Sequence, residues 1–131
     1  MKDVYNAVKT AIEENVPEVR YIDLWNHNVE FIEQESAWDR PAVFIEFGPI
    51  TWEPVKLCRL RGNGELRLHV VTDWAEGGQA AAWDVSESIR NALEDLSGMS
   101  FSGMTLCQTL TNHNHEDILE SIDSYFVRYL L

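Results

Sequence analysis

Apolar residues recur along this chain with two different periods, and the changes between them mark the elements. From Asp3 to Asn15, Val4, Ala7, Val8, Ala11 and Ile12 share one helical face while Lys9, Glu13 and Glu14 fall largely on the other. Residues 3–15 are therefore predicted to form a first amphipathic helix. Asp3 is placed to cap it, and Pro17 ends it because the residue before a proline is pushed out of the helical region. Tyr21-Ile22-Asp23-Leu24-Trp25 has the look of a short strand. Ala42-Val43-Phe44-Ile45-Glu46-Phe47 is a stronger one, with Val43, Ile45 and Phe47 on one side and the equally apolar Phe44 on the other. A strand apolar on both sides belongs inside a sheet, covered on both faces. After the break at Asn26-His27-Asn28, Val29-Glu30-Phe31-Ile32-Glu33 fits strand or irregular chain equally well.

The stretch from Gly64 to Asn112 organises the rest. Leu66, Leu68 and Val70 alternate with Arg67, His69 and Val71, so residues 65–72 form a strand with one buried face. Asp73-Trp74-Ala75-Glu76 has the form of a capping box, but Gly77 and Gly78 weaken a helix and move its expected start to Gln79. Val85, Ile89, Ala92, Leu93 and Leu96 then make one stripe, with Asp84, Glu87, Arg90 and Glu94 mostly off it. Ser97-Gly98 is the expected stop of this helix over 79–96. Residues 104–111 form another strand, with Thr and Gln outward.

Upstream, Trp52–Arg61 reads as extended, and Gly62-Asn63-Gly64 is the turn that joins it to strand 65–72 as a hairpin. Asn112–Asp117 is a polar loop, followed by a helical turn through Ile118, Leu119 and Ile122 and a terminal strand over 125–131. These elements amount to a single α+β domain over residues 1–131. One mainly antiparallel sheet of four to six strands has its two main helices packed on one face, as strands with one apolar side require.

The 131 residues, 45% of them hydrophobic, suffice for a real core without covalent staples. The longest apolar runs span only a few residues, which excludes a membrane-crossing helix, and Met1-Lys2-Asp3-Val4-Tyr5 lacks the apolar stretch of a signal peptide. Synthesis in the cytoplasm follows as the expectation. Cys58 and Cys107 are too few and too far apart for a disulfide framework or a zinc site, and their strand-like surroundings predict buried free thiols.

Net charge is −12, from 22 acids against 10 Lys and Arg. That opposes phosphate binding and argues against specific nucleic-acid or anionic-membrane partners. The charge is uneven: Lys56, Arg59, Arg61 and Arg67 lie within one short stretch, while residues 113–124 hold four acids and no Lys or Arg. Solvated strand faces account for this pattern. The sharper reading makes these four basic residues a candidate subunit interface, in which a basic hairpin of one copy meets an acidic loop of the next.

Candidate chemistry is thin. His113-Asn114-His115-Glu116-Asp117 resembles a metal-ligand set, but no third distant ligand is identifiable unless His69 or His27 folds close, and a solvated polar loop explains it better. Ser86, Ser88 and Ser121 lack a nucleophile-elbow context, and neither cysteine has a neighbouring His. Gly62-Asn63-Gly64 and Gly77-Gly78 are too short to cradle a phosphate. Glu13-Glu14 and Glu94-Asp95 lie on exposed helix faces. Trp25, Trp38, Trp52, Trp74 and Trp83 suit core or interface packing, and five in one small chain favour a protein–protein surface. No catalytic residue, cofactor or metal is assigned.

The order of elements carries a resemblance. A first helix, the apolar strand Pro41-Ala42-Val43-Phe44-Ile45-Glu46-Phe47, a strand Glu65–Val71 running into a helix with Ala80-Ala81-Ala82, and a closing aromatic strand Tyr125-Phe126-Val127-Arg128-Tyr129 follow one another. This arrangement is similar to the small tail-terminator or tail-completion (minor tail) proteins of long-tailed bacteriophages and prophages. The resemblance rests on element order and size over most of the chain, and no functional residue transfers with it. It implies a structural, non-catalytic virion protein whose copies form a ring, commonly of six subunits. Such a ring caps the tail tube, stops its growth and joins it to the head, with tail-tube and head–tail connector proteins as partners. An acidic lumen would let DNA pass without sticking. The alternative from another class is a small acidic intracellular binding module of the immunity or adaptor kind. A metal-dependent enzyme built on His113–Asp117 comes third.

Overall fold

The computed structural model describes residues 1–26, 39–74, 78–112 and 118–131. The elements run α1 (Lys2–Asn15), β1 (Tyr21–Leu24), β2 (Ala42–Val55), β3 (Arg59–Asp73), α2 (Gly78–Leu93), β4 (Phe101–Asn112) and β5 (Ile118–Leu130). The five strands form one mixed sheet in the order β1-β2-β3-β5-β4. Only β1 and β2 are parallel; the other three pairings are antiparallel. The fold is α+β, with both helices on one face.

That face holds the main core. Val4, Val8 and Ile12 of α1 and Val85, Ile89 and Leu93 of α2 meet Val43, Ile45, Leu66, Leu68, Val70, Tyr125, Val127 and Tyr129 of the sheet. The helical stripe and the strand alternation thus select the same interior. Each fully buried Ile or Leu among them contributes about 1.5–3 kcal/mol relative to exposure. The opposite face has its own smaller cluster of Ala42, Phe44, Val71 and Ile118, with Trp25 packed against it. Phe44 is fully buried there, so the two-sided burial expected for β2 holds.

Several local expectations are corrected. The hairpin between β2 and β3 turns at Lys56-Leu57-Cys58, with Val55 opposite Arg59. Gly62, Asn63 and Gly64 lie inside β3, paired with Trp52, Thr51 and Ile50 on one side and Tyr129, Arg128 and Val127 on the other. These glycines serve close approach: a Cβ on Gly62 would stand 2.7 Å from the Trp52 ring, and one on Gly64 2.7 Å from Ile50 Cγ1. The turn instead places Leu57 (φ 66°) and Cys58 (φ 58°) in the left-handed region, which non-glycine residues enter at a cost of roughly 1–2 kcal/mol each. Pairing along two long strands outweighs that local cost.

The helical turn expected at Ile118–Ile122 is the first part of β5. There Leu119 pairs with Thr72 and Ser121 with Val70 across an interior strand. α2 ends at Leu93 and the left-handed residue beyond it is Asp95 (φ 60°), while Gly98 leaves room for the Phe101 ring. Asp3 makes no cap bond and instead accepts from Ser100 Oγ at 2.7 Å. Both cysteines are free and exposed. Cys58 is at the hairpin turn, and Cys107 stands at an irregularity in β4 on the edge of the sheet. No helix among the described residues is long and apolar enough to cross a membrane.

Candidate functional site

Register places the predicted basic residues. Along β3, Leu66, Leu68 and Val70 enter the core beneath the helices, so by alternation Arg59, Arg61, Asn63, Glu65, Arg67, His69 and Val71 share the outer face. Three of the four candidate interface residues (Arg59, Arg61 and Arg67) therefore line up on one side of one strand, and Lys56 sits in the turn beyond them.

Their surroundings differ. Lys56, Arg59 and Arg61 are exposed, and Arg61 reaches Glu53 only at 3.5 Å, with both side chains more than half exposed. An exposed pair of this kind contributes little to stability. Arg67 is half-buried and committed inside the chain. It donates from Nε and Nη2 to the two oxygens of Glu65, both at 3.1 Å, and from Nη1 to Glu46 Oε2 at 3.4 Å. The hydrogen bonds from Arg67 hold the Glu65 carboxyl below the usual carboxylate range. Of the four, Lys56, Arg59 and Arg61 are the exposed ones, toward the hairpin end, and Arg128 of β5, opposite Asn63, is exposed on the same face.

Further along the same face is a buried polar array that inspection of the sequence did not single out. His69 lies with Nε2 2.7 Å from Glu46 Oε1 and Nδ1 2.6 Å from Glu120 Oε2. Asn112 donates from Nδ2 to the other Glu120 oxygen at 2.8 Å. The Trp25 ring stacks on the imidazole at 3.8 Å, within 1° of parallel. His69 and Glu120 are each 4% exposed. Both ring nitrogens lie within hydrogen-bond distance of a glutamate side chain.

The array links β2, β3, β5 and β4. The sequence did hold a signal for it, in charged or polar residues at the middle of apolar strands: Glu46 between Ile45 and Phe47, and His69 between Leu68 and Val70. Chemically the array is closed. Both imidazole nitrogens are occupied, and the ring is covered by Trp25, so His69 offers no free nitrogen to a substrate.

His27, Trp38, Glu76 and the His113–Asp117 cluster lie outside the described residues. Among the described residues no group of three or more His, Cys, Asp or Glu side chains is arranged to hold a metal ion. Trp52 leans over Gly62 and against Tyr129, their rings 5.8 Å apart. Trp74 and Trp83 are exposed.

No protein-family model matches the chain, and no match was found among curated proteins. Among solved structures, the chain is similar to a chain of the "Virion of native gene transfer agent (GTA) particle". The TM-score is 0.69 with 13% sequence identity, over 99% of this chain and 96% of that one. At that identity the likeness is one of fold, and it runs the length of both chains.

Proposed function

We propose that this chain is a structural subunit of a phage-type virion, acting in tail completion or termination by self-association into a ring and without catalysis. The observation that carries the reading is the end-to-end fold likeness to a chain of a gene transfer agent particle. A partial match could reflect a common supersecondary unit, whereas a match over nearly the whole of both chains supports a shared building block. The occupied state of His69, the one buried histidine among the described residues, favours a scaffold over a reaction centre. The charge of −12 suits a channel that DNA crosses without binding.

In this reading the partners are further copies of the chain, tail-tube protein and head–tail connector protein, and its place is the virion tail. Lys56, Arg59 and Arg61 at the hairpin end meet an acidic surface of the neighbouring copy. Arg67 braces Glu65 and Glu46 behind them. The test is absolute mass by light scattering over a wide concentration range, alone and with isolated tail tubes, with negative-stain images of the largest species. A closed ring is expected, and Arg59→Glu with Arg61→Glu should weaken it while the monomer stays folded. A species that remains monomeric in solution and on tubes would overturn the reading.

A further inference from the structure

The two edges of the sheet are built differently. On one side β1 covers only Ala42–Ile45 of β2. The part of β2 that runs past it carries Pro49, Glu53 and Pro54, residues that discourage pairing with another strand. On the other side β4 pairs with β5 and, among the described residues, with nothing beyond. Its twelve residues, Phe101–Asn112, contain no proline and no charged side chain. It is the only helix or strand among the described residues with no charge. Thr105 through Leu110 are all exposed. Its register against β5 is broken between Ser102 and Thr105 and between Leu106 and Gln108, and is regular from Gln108 to Asn112; a neutral, exposed edge there is what soluble proteins avoid unless it is used.

We propose that β4 is a self-pairing edge: two copies of the chain add β4 to β4 antiparallel about a two-fold axis, making one continuous ten-stranded sheet. The choice of a second copy follows from charge. In a two-fold pair each edge residue meets the same strand reversed, so a charge near the axis would face its own like. A foreign partner could be met with complementary charge and would not require neutrality. In a chain of net charge −12 a neutral edge lets a second copy approach without adding a like-charge pair at the contact.

The flanks of the edge supply apolar cover for the incoming strand. On the helix side a groove runs between Trp83, Glu87 and Arg90 of α2 and Leu106 and Thr109 of β4. On the outer side Leu110 and Phe126 are exposed, at 53% and 38%. Alternate side chains of an added strand would enter the groove and cover Leu110.

The proposal does not rest on the tail reading, because an edge-to-edge pair forms whether or not copies also close into rings. Its test is amide hydrogen exchange of the full chain at low and high protein concentration, together with mass by light scattering. Exchange over residues 101–112 should slow as a dimer appears. The variant Gln108→Lys with Leu110→Lys, two residues on the outer side of the edge, should lose that dimer and keep the melting temperature of the parent monomer. Arg59→Glu with Arg61→Glu should keep the dimer, which separates this contact from the hairpin contact. Unchanged exchange in β4 on concentration, or a dimer that survives the lysine pair, would overturn the proposal. If the lysine variant failed to fold, the exchange result on the parent chain would decide alone.

Discussion

At the scale of single residues, the positions that matter most are those where a small or polar side chain was required by a neighbour. Gly64 is the clearest. Glycine in a strand ordinarily costs about 0.5–1 kcal/mol against alanine, through the freedom it loses on folding. Gly64→Ala would by that rule stabilise. The added Cβ, however, would stand 2.7 Å from Ile50 Cγ1 and 3.1 Å from the Tyr129 ring, in a buried position. Overpacking of this kind costs about 1–3 kcal/mol, so the steric effect exceeds the entropic one and the variant should be less stable in urea unfolding. Stabilisation would mean that Ile50 and Tyr129 shift freely, and that the glycine is there for another reason. His69 follows the same logic with polarity in place of volume: Glu46 and Glu120 flank it at 2.7 and 2.6 Å, and an apolar side chain there would leave both without a partner at that position.

At the scale of elements, β5 shows both what was readable and what was not. Its second half lies in the terminal strand expected over 125–131, whose register the sequence leaves open. Its first half holds the helical turn expected through Ile118, Leu119 and Ile122, which match a helical spacing just as well. What decides is the partner: β3 offers a paired position at every step from Thr72 back to Arg61, and no single-sequence pattern contains that information. The two helices, the Ala42–Phe47 part of β2 and the face they share were legible because each stripe or alternation is a property of one element, whereas the continuation of β2 through Gly48 and Pro49 to Val55 was not. The hairpin turn was misplaced because Gly-Asn-Gly announces positive φ and also announces small side chains, and here the second meaning applies. The His69 array joins four strands, so it was beyond any local pattern.

Asp123 shows what an interior position in β5 does to a carboxyl. It is 2% exposed, and burial pushes its titration up, opposed by the Thr109 hydroxyl that donates to Oδ1 at 2.8 Å. A carboxyl whose pKa is higher in the folded than in the unfolded chain favours folding when protonated. Its contribution is complete below the ordinary Asp value of about 4 and is lost as pH rises through the raised one. Asp123→Asn keeps an acceptor for Thr109 and removes the buried charge. It should raise the melting temperature at neutral pH, with the advantage shrinking as the solution is acidified. An advantage that stayed constant across the pH series would show that burial of the charge is not its source.

At the scale of the whole molecule, charge decides how copies approach one another, and salt tells the two contacts apart. Each chain carries −12, so two copies repel at long range. Raising the salt shortens the reach of that repulsion to about 10 Å at 0.1 M and about 3 Å at 1 M. A contact through the neutral β4 edge gains from screening, since it has no attractive charge pair to lose. A contact that sets Lys56, Arg59 and Arg61 against acidic residues loses its attraction as the repulsion is screened, and charged pairs at close range account for much of its specificity. Mass measured across a salt series should therefore show the edge-paired dimer strengthening while any larger closed species built on the hairpin weakens. Dissociation of the dimer by salt would place charge at its interface and exclude β4 from it. Growth of the larger species with salt would remove the basic hairpin from ring formation and turn attention to the exposed tryptophans Trp74 and Trp83 as apolar contacts.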